Sequence, residues 1–456
     1  MISEEENKLK LFGTDGVRGE ANLVLTAELA YQLGRAAAHI LQQEGLPDKE
    51  KAIVIGKDTR ISGDMLEASL IAGICSTGVD VYQVGVMPTP AVAVLTRMLN
   101  AMAGVVISAS HNPYQDNGIK FFSPLGVKLP DRVEEKIEKL IADDLAGIPY
   151  PVGADLGRVI PYEEGAKRYT QFIQSKVSGD LGGLRVVVDC ANGAASHIAP
   201  PLLRSLGVDV VAINCTPNGI NINENCGSTH LEQLQKAVVA QEADLGIAYD
   251  GDADRLLAVD HWGEVVDGDK LLVIYALDMD AKGELDGNQM VVTVMSNLGL
   301  KVALQQKGIT VRESQVGDRY VIEEMQNHGA VLGGEQSGHI IFSKDNTTGD
   351  GILSSVKLLE IVKKSKKSLQ KLASQMEQYP QILRNVRVQN KNGWAEKEEI
   401  KAAMAKAQEE LGNTGRILVR ASGTENLLRV MVEGKDAQQI ERIAQELAAV
   451  VDTVMN

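Results

Sequence analysis

The run GVVISASHNP occupies residues 104–113 and decides the first part of the fold. It opens with a glycine and three β-branched aliphatic residues, a composition typical of a buried strand. It then changes to small polar residues and ends in Pro113, which restricts the local backbone. Ligands bind beyond the carboxyl ends of strands in open α/β sheets, so Ser110 is placed as a nucleophile or a phosphate carrier. We expect this loop to be too polar to bury; an ordinary polar loop with a helix N-cap is the alternative interpretation.

The arrangement around this run, strand–helix–strand–helix–strand, occurs three times along the chain. The middle strands resemble one another: STGVDVYQVG at 76–85, SLGVDVVAIN at 205–214 and, more loosely, KGITVRES at 307–314. Apolar runs that alternate with helical periodicity indicate mainly parallel sheets flanked by helices. The predicted strands are Ala52–Gly56, Val79–Val84, Gly104–Ser108, Arg185–Asp189, Val208–Ile213, Leu245–Tyr249, Met290–Val294, Ile309–Arg312 and Ala330–Gly333.

Each third strand runs into a strongly polar loop. The second repeat ends in DGDADR at 250–255, and the third ends in GEQSGH at 334–339. Asp250, Asp252 and Asp254 alternate, so an extended loop would point all three carboxylates to one side. Carboxylates that close repel one another unless a cation neutralises them, and oxygen ligands suit Mg²⁺. A solvated acidic turn is the alternative.

The remaining candidates are hydroxyl, amide and cationic side chains in glycine-rich loops. GEQSGH suits recognition of sugar hydroxyls, and RASGTEN at 420–426 combines a cation, hydroxyls and free amides in the manner of a phosphate cradle. Either loop could also be a surface turn. Further candidates for charge or proton transfer are Arg18, Lys120, Arg255, His111 and His339.

Composition limits the class of protein. A chain of 456 residues is long enough for about three domains. The net charge of −15 disfavours binding to nucleic acid or anionic membranes, and 4% aromatic residues leave little surface for base stacking. The four scattered cysteines and the absence of an apolar leader predict a reduced, cytoplasmic protein without membrane insertion.

The fold class predicted is α/β, with three similar domains of mixed, mainly parallel sheets, a C-terminal α+β domain and an active site in a central cleft. The C-terminal part of the chain differs from the three repeats. Its short strands and helices after Tyr379–Pro380 predict a small α+β domain. The expected domains are 1–165 with the Ser110 loop, 166–262 with the Asp loop, 263–379 with GEQSGH and 380–456 with RASGTEN.

Taken in this order, SASHNP, DGDADR, GEQSGH and RASGTEN resemble the loops of the α-D-phosphohexomutase superfamily over essentially the whole chain. FGTDGVRGEAN at 12–22, Gln336 and GININENCGSTH at 219–230 are similar to its branch that acts on glucosamine phosphates. One departure is that Ala421 and Asn426 replace two prolines of the usual RPSGTEP loop. The donors of that loop remain, so the departure puts phosphate affinity in question more than chemistry.

The resemblance implies that Ser110 carries a phosphoryl group and that one Mg²⁺ per chain bridges it to the Asp triplet. Glucosamine 6-phosphate and glucosamine 1-phosphate would interconvert through a bound glucosamine 1,6-bisphosphate, supplying UDP-N-acetylglucosamine and peptidoglycan precursors. The implied partner is a small phosphosugar, and a homodimer is left open. The implied site residues are Ser110, Lys120, Arg18 and His111 for catalysis, Ser110, Asp250, Asp252 and Asp254 for the metal, Arg255, Glu335, Gln336, Ser337 and His339 for the sugar, and Arg420, Ser422, Gly423, Thr424 and Arg429 for phosphate.

Three alternatives stay open on the sequence alone. A phosphomannomutase or phosphoglucomutase would use the same machinery. A phosphatase would use Asp250 as a covalent nucleophile, but that interpretation leaves the other three loops unexplained. A non-catalytic sugar-phosphate sensor would not need both a phosphorylatable serine and a metal triad.

Overall fold

The computed structural model of the protein describes residues 10–13, 15–44, 49–422 and 426–456. The chain divides into two compact units. The larger consists of Met1–Met295 and Thr310–Ser374, and the smaller of Ser296–Ile309 and Gln375–Asn456. None of the helices in the described part combines the length and apolar character needed to cross a membrane.

The N-terminal part of the larger unit contains a six-stranded sheet. Its strands are β1 (Val17–Glu20), β2 (Glu50–Lys57), β3 (Asp80–Val86), β4 (Ala101–Ile107), β5 (Asp116–Phe122) and β6 (Val159–Pro161). Its helices are α1 (Ala27–Gln43), α2 (Gly63–Cys75), α3 (Thr89–Met98), α4 (Asp131–Ala142) and α5 (Gly165–Gln174). The strand order is β1-β5-β4-β2-β3-β6, and β4 is buried at every position because it lies in the middle of the sheet.

Two smaller sheets come next along the chain. The second region contains β7 (Arg185–Asp189), α6 (Ala199–Ser205), β8 (Asp209–Ile213), α7 (Glu232–Ala240), β9 (Leu245–Tyr249), β10 (Leu256–Asp260) and β11 (Val265–Val266), in the sheet order β11-β10-β9-β7-β8. The third region contains α8 (Gly268–Lys282), β12 (Gln289–Thr293), α9 (Leu298–Gln305), β13 (Thr310–Ser314), α10 (Asp318–His328), β14 (Leu332–Gly334), β15 (Ile340–Phe342), α11 (Gly351–Ser365) and α12 (Leu369–Ala373), in the sheet order β13-β12-β14-β15.

The three sheets share one topology, which confirms the predicted repeat. In each sheet the first strand of the repeat lies between the second and third: β3-β2-β4, β8-β7-β9 and β13-β12-β14. The sequence did not predict a fourth strand in each repeat. β5, β10 and β15 each return antiparallel to the third strand, so the three polar loops close hairpins. Because the repeats match, the loops occupy equivalent positions.

The smaller unit is an antiparallel sheet covered by helices. It contains β16 (Gln381–Arg387), α13 (Glu398–Leu411), β17 (Gly415–Ala421), β18 (Leu427–Gly434) and α14 (Ala437–Met455), with the strand order β16-β18-β17. α9 groups with this unit, a grouping that the sequence did not indicate. The Leu298 amide at its start donates to Glu433 Oε1 at 3.1 Å, and the Asn297 amide group donates to the Tyr379 carbonyl at 3.0 Å.

Two glycines allow α1 and α2 to approach closely. A Cβ added to Gly34 would clash with the Leu70 carbonyl oxygen, and one added to Gly73 would clash with the Tyr31 carbonyl oxygen. Both neighbours are helix backbone, which cannot move without shifting the helix. The helix pair covers one face of the first sheet. Leu33 of α1 and Leu66 of α2 belong to the same buried cluster as Ile53 of β2 and Val105 of β4.

We predict that Gly73→Ala lowers the free energy of unfolding by about 1–3 kcal/mol, because the added methyl group overpacks a backbone contact. Urea denaturation followed by circular dichroism measures the effect. Gly63→Ala is the matched control, since its nearest neighbour is the flexible Lys57 side chain at 3.3 Å. Equal free energies of unfolding for the Gly73 variant and the wild type would contradict this, because they would show that α1 and α2 can move apart without loss of stability.

Candidate active site

Ser110 lies in the loop just beyond the end of β4 and has an unusual backbone conformation. Its φ of +50° is in the left-handed region, which residues with a Cβ rarely adopt. Its Oγ donates to Asp250 Oδ2 at 2.6 Å and lies 3.2 Å from His111 Nδ1. Its amide donates to Ser108 Oγ at 2.9 Å. The hydroxyl of the first loop therefore meets the acidic loop of the second repeat.

The prediction that this loop is too polar to bury is wrong for residues 108–110, whereas Pro113 at its end is exposed. Ser110 is only 2% exposed and Ser108 5% exposed. Their polar atoms are satisfied inside the protein: Ser108 Oγ donates to Asp58 Oδ2 at 2.6 Å, and the Ser110 carbonyl accepts from Arg60 and Asn223. Polar groups that are fully hydrogen-bonded can be buried at little cost, which a count of polar residues cannot reveal.

The carboxylates of Asp250, Asp252 and Asp254 converge, with one oxygen of each lying within 4.8 Å of the others. The loop is a turn rather than the extended segment expected from the sequence, since the Ala253 amide donates to the Asp250 carbonyl at 3.2 Å. All three residues are buried, and Thr89 Oγ1 donates to Asp252 Oδ2 at 2.5 Å. Three acidic side chains are thus held together away from solvent.

The charges of this triplet are strongly coupled. Burial raises the pKa values of Asp250 and Asp252, and the neighbouring carboxylates raise them further. Burial also opposes ionisation of Asp254, but the charges of His339 and Arg255 outweigh it and hold the pKa of Asp254 below its usual range. Among the described residues, Asp252 Oδ1 and Asp254 Oδ1 are buried without a hydrogen-bond partner. Convergent, unpartnered carboxylate oxygens fit a hard divalent cation such as Mg²⁺.

Cationic side chains surround the triplet. Arg255 Nε lies 4.0 Å from Asp250 Oδ2 and 3.9 Å from Asp254 Oδ1. His339 Nδ1 lies 3.4 Å from Asp254 Oδ2, which raises the pKa of His339 to about 9 against the opposing effect of burial. Burial, together with Arg255 and Arg18, lowers the pKa of His111 to about 4. The histidine beside Ser110 is therefore neutral near pH 7.

Lys120 belongs to a second charged group. It lies on β5 and is 7% exposed, with Nζ 3.0 Å from Asp318 Oδ2 and 3.6 Å from Asp15 Oδ1. Burial lowers the pKa of Lys120, but Asp318 and Asp15 outweigh this and raise the pKa above its ordinary value. Arg18 Nη2 lies 3.7 Å from Asp15 Oδ2. Lys120 is therefore protonated in this arrangement. Of the two proton-transfer roles open to it, the structure favours that of a general acid.

The GEQSGH loop lies against the aspartate loop. Arg255 and His339 form an isolated backbone bridge between the two loops. Glu335 Oε1 accepts from the Gly317 amide at 3.1 Å, and Gln336 Nε2 donates to Asp267 Oδ2 at 3.4 Å.

Ser337 Oγ is buried and has no hydrogen-bond partner among the described residues. His339, predicted to serve the sugar, has its imidazole against Asp254; its role in sugar binding stays a prediction.

The smaller unit carries the predicted phosphate loop. Arg420 on β17 lies opposite Arg429 on β18, so two cations share one end of the hairpin. Burial, with the charge of Arg429, lowers the pKa of Arg420. The Ser422 amide donates to the Leu427 carbonyl at 2.9 Å. The predicted Gly423 and Thr424 lie outside the described residues.

Known protein families match the chain in four successive parts. Residues 9–146 match "Phosphoglucomutase/phosphomannomutase, alpha/beta/alpha domain I", and residues 167–263 and 267–379 match domains II and III of that family. Residues 383–450 match its C-terminal domain. Together these matches cover most of the chain.

Curated relatives extend the match over nearly the full length. The phosphoglucosamine mutase of Desulforamulus reducens is 57% identical over 445 residues, which are 98% of this chain and 100% of the relative. That of Carboxydothermus hydrogenoformans is 55% identical over 443 residues, 97% of this chain and 99% of the relative. The chain belongs to the phosphoglucosamine mutase family. Members of the phosphoglucosamine mutase family are isomerases, and this protein is an enzyme of that class.

Solved structures of the wider group share the fold. A phosphoglucomutase/phosphomannomutase family protein from Burkholderia thailandensis superposes with a TM-score of 0.82 at 24% identity, covering 97% of each chain. The N-acetylphosphoglucosamine mutase of Aspergillus fumigatus, solved in complex with GlcNAc-6P and magnesium, has a TM-score of 0.70 at 18% identity. That alignment covers 98% of this chain and 96% of the fungal one.

Sequence reasoning missed several residues that contact this candidate site. Asp318 comes after the short segment beyond β13, and Thr89 begins α3, so neither belongs to a conspicuous motif. Asp58 and Arg60 lie immediately beyond β2, at a strand end without a glycine-rich or acidic motif. The position beyond a parallel strand was the signal that could have found them.

We predict that Asp318→Asn lowers the free energy of unfolding by about 1.5–3 kcal/mol, because Lys120 loses a buried, charge-assisted hydrogen bond. Urea denaturation of this variant, of Lys120→Met and of the double variant measures the coupling between the two side chains.

Asp278→Asn is the control for this cycle, because its 2.6 Å pair with Lys282 is a more exposed i,i+4 helix pair, worth about 0.3–0.5 kcal/mol. Additive effects of the Asp318 and Lys120 changes would show that the pair contributes no mutual stabilisation.

Proposed function

We propose that the enzyme interconverts glucosamine 6-phosphate and glucosamine 1-phosphate by means of a phosphoryl group carried on Ser110. The observation that supports this most strongly is the 2.6 Å hydrogen bond from Ser110 Oγ to Asp250, inside a triplet of converging carboxylates. In one half-reaction the Oγ–P bond of the phosphoserine breaks and a P–O1 bond forms on the sugar. In the other, the O6–P bond of the bound 1,6-bisphosphate breaks, the phosphoryl group returns to Ser110 Oγ, and the serine proton is balanced by protonation of O6.

Asp250, Asp252 and Asp254 would hold one Mg²⁺ together with an oxygen of the phosphoserine. When bound, this ion neutralises charge on the transferring phosphoryl group. The chain's own residues prepare the position: Thr89 orients Asp252, and the Arg255 amide donates to Asp250 Oδ1 at 3.2 Å. The fungal relative solved with magnesium supports the choice of metal.

The surrounding side chains would take part in proton transfer and compensate the phosphate charge. Lys120, held as an ammonium by Asp318, would donate to the bridging oxygen and act as the general acid. Ser110 Oγ donates its proton to Asp250 Oδ2, and neutral His111, 3.2 Å from the same oxygen, would support the transfer. Arg18 and Arg255 would offset the phosphate charge.

Substrate binding would use two further sets of residues. Glu335, Gln336, Ser337 and His339 would contact the sugar, and the unpartnered Ser337 Oγ is suited to a sugar hydroxyl. Arg420, Ser422 and Arg429, with Gly423 and Thr424, would hold the phosphate that is not reacting. One phosphate site that serves both orientations of the sugar would allow both half-reactions.

We predict that Ser110→Ala abolishes nearly all turnover while the circular dichroism spectrum stays that of the wild type. The reason is that, within the described part of the chain, no other hydroxyl donates to Asp250 and could carry the phosphoryl group. Coupled assay of glucosamine 1-phosphate measures turnover, and phosphopeptide mapping locates the covalent phosphate. Ser205→Ala is the control, since its hydroxyl donates to the Leu202 carbonyl and accepts from Gln174, away from the aspartate triplet. Phosphate on Asp250 instead of Ser110 would favour the phosphatase mechanism.

We predict that EDTA removes activity and that Mg²⁺ restores it, and that Mg²⁺ raises the thermal unfolding midpoint by relieving carboxylate repulsion. Asp252→Asn should raise the Mg²⁺ concentration needed for half-maximal activity and reduce the shift in midpoint, because one anionic ligand is lost. Asp286→Asn, on an exposed pair with Lys344, should change neither quantity. Full activity after rigorous removal of metal would contradict the assignment.

A further inference from the structure

The left-handed conformation of Ser110 needs a physical explanation. A residue with a Cβ occupies this region only where its surroundings over-determine the backbone. The hydrogen bonds of the Ser110 side chain do not do this alone, because they hold Oγ and not the peptide groups around the residue. The constraint has to act on the backbone on either side of the serine.

Two donors from different parts of the chain converge on the same pair of carbonyls. Arg60 Nη2 donates to the Ser110 carbonyl at 2.8 Å and to the Asn112 carbonyl at 2.9 Å. Asn223 Nδ2 donates to the same two carbonyls at 2.8 and 3.0 Å. A carbonyl oxygen has two lone pairs, so both oxygens are saturated and both peptide planes are held.

Arg60 is itself held rigidly. Its guanidinium is fully buried, with Nε 2.8 Å from Asp58 Oδ2, and Nη1 donates to the Asp116 carbonyl at 3.0 Å. The same Asp58 oxygen accepts from Ser108 Oγ, which in turn accepts from the Ser110 amide. Asp58 therefore holds the serine loop before Ser110, through Ser108, and Arg60 holds it after Ser110, through the two carbonyls.

The segment that carries Arg60 also contacts the region of Asn223. Thr59 Oγ1 donates to the Asn192 carbonyl at 2.6 Å, and the Ile61 amide donates to the Gly219 carbonyl at 2.8 Å. Residues 58 and 60 thus face the serine loop, while 59 and 61 face the second repeat. Gly251 in the aspartate loop packs here too, because an added Cβ would lie 2.5 Å from the Ser110 carbonyl and 2.9 Å from Asn223 Nδ2.

We propose that Arg60 and Asn223 are positioning residues, which hold the Ser110 backbone so that its hydroxyl meets the aspartate triplet. This inference rests on the proposed role of Ser110 as the phosphoryl carrier. The serine must give and receive the phosphoryl group at one position in both half-reactions, and a displacement of about 1 Å at a reacting centre costs about 100-fold in rate. Both residues act through the backbone of the loop.

Arg35 provides a matched control for a purely structural role. It is also fully buried in the first repeat, and its guanidinium donates to the carbonyls of Ser76, Ile148 and Pro149. None of these belongs to the serine or aspartate loops. Arg35→Lys and Arg60→Lys each keep the charge and lose the planar fork of donors.

The experiment compares kcat and KM for glucosamine 6-phosphate in Arg60→Lys and Arg35→Lys. Both are assayed with saturating glucosamine 1,6-bisphosphate, at a temperature below the unfolding midpoint of the less stable variant. We expect Arg60→Lys to lower kcat by about 100-fold with little change in KM, since positioning affects the chemical step. Arg35→Lys should lose stability but keep the wild-type kcat. Asn223→Ala should also lower kcat, and combining it with Arg60→Lys should cost less than the product of the two single effects.

A folded Arg60→Lys variant with wild-type kcat, or with a loss confined to KM, overturns the inference. If Arg60→Lys fails to fold, Asn223→Ala decides by the same criterion. Phosphopeptide mapping of the wild type separates this failure from that of the proposed function. Turnover without phosphate on Ser110 overturns the carrier itself, whereas a phosphorylated Ser110 with an indifferent Arg60 overturns only the positioning role.

Discussion

Three buried carboxylates on one short turn are the constraint on which the rest of the site depends. Asp250, Asp252 and Asp254 cannot all ionise in a buried place unless positive charge and hydrogen-bond donors compensate them. The compensation seen here is specific: the Ser110 hydroxyl on Asp250, the Thr89 hydroxyl on Asp252, and Arg255 and His339 around Asp254. Two carboxylate oxygens, Asp252 Oδ1 and Asp254 Oδ1, have no hydrogen-bond partner among the described residues, so they are available to a cation.

The threefold topology explains how these groups meet. Each repeat ends in a hairpin whose loop lies at an equivalent position, so three loops distant in sequence supply a hydroxyl, an acidic triplet and a mixed polar turn. Direct contacts join them: Ser110 to Asp250 by a hydrogen bond, and Arg255 to His339 by a backbone bridge. For the proposed function their chemistries would be complementary, because a phosphoryl transfer needs a carrier, a counter-charge and contacts that hold the acceptor.

Much of this was predictable from local sequence. Strands such as Arg185–Asp189 and Leu245–Tyr249 appear with the predicted bounds, because each is a short, mostly apolar run with an aspartate at or just beyond its end. The convergence of the aspartates was also expected, although the extended loop proposed to cause it is a turn. The antiparallel returns after each third strand were not predicted, because short strands next to polar loops have no distinctive periodicity. The burial of Ser110 was missed because its partners Arg60 and Asn223 are 50 and 113 residues away.

The sequence by itself determined the repeated α/β order, the family resemblance and the residue types available for chemistry, since these depend on composition and spacing. Only the tertiary structure decided the state of each group. Lys120 is an ammonium because Asp318 and Asp15 lie beside it, His111 is neutral because it is buried near two arginines, and Ser110 is left-handed in a loop whose carbonyls are saturated. The physical reason is that charge, burial and backbone strain depend on neighbours in space, and those neighbours are brought together by folding rather than by position along the chain.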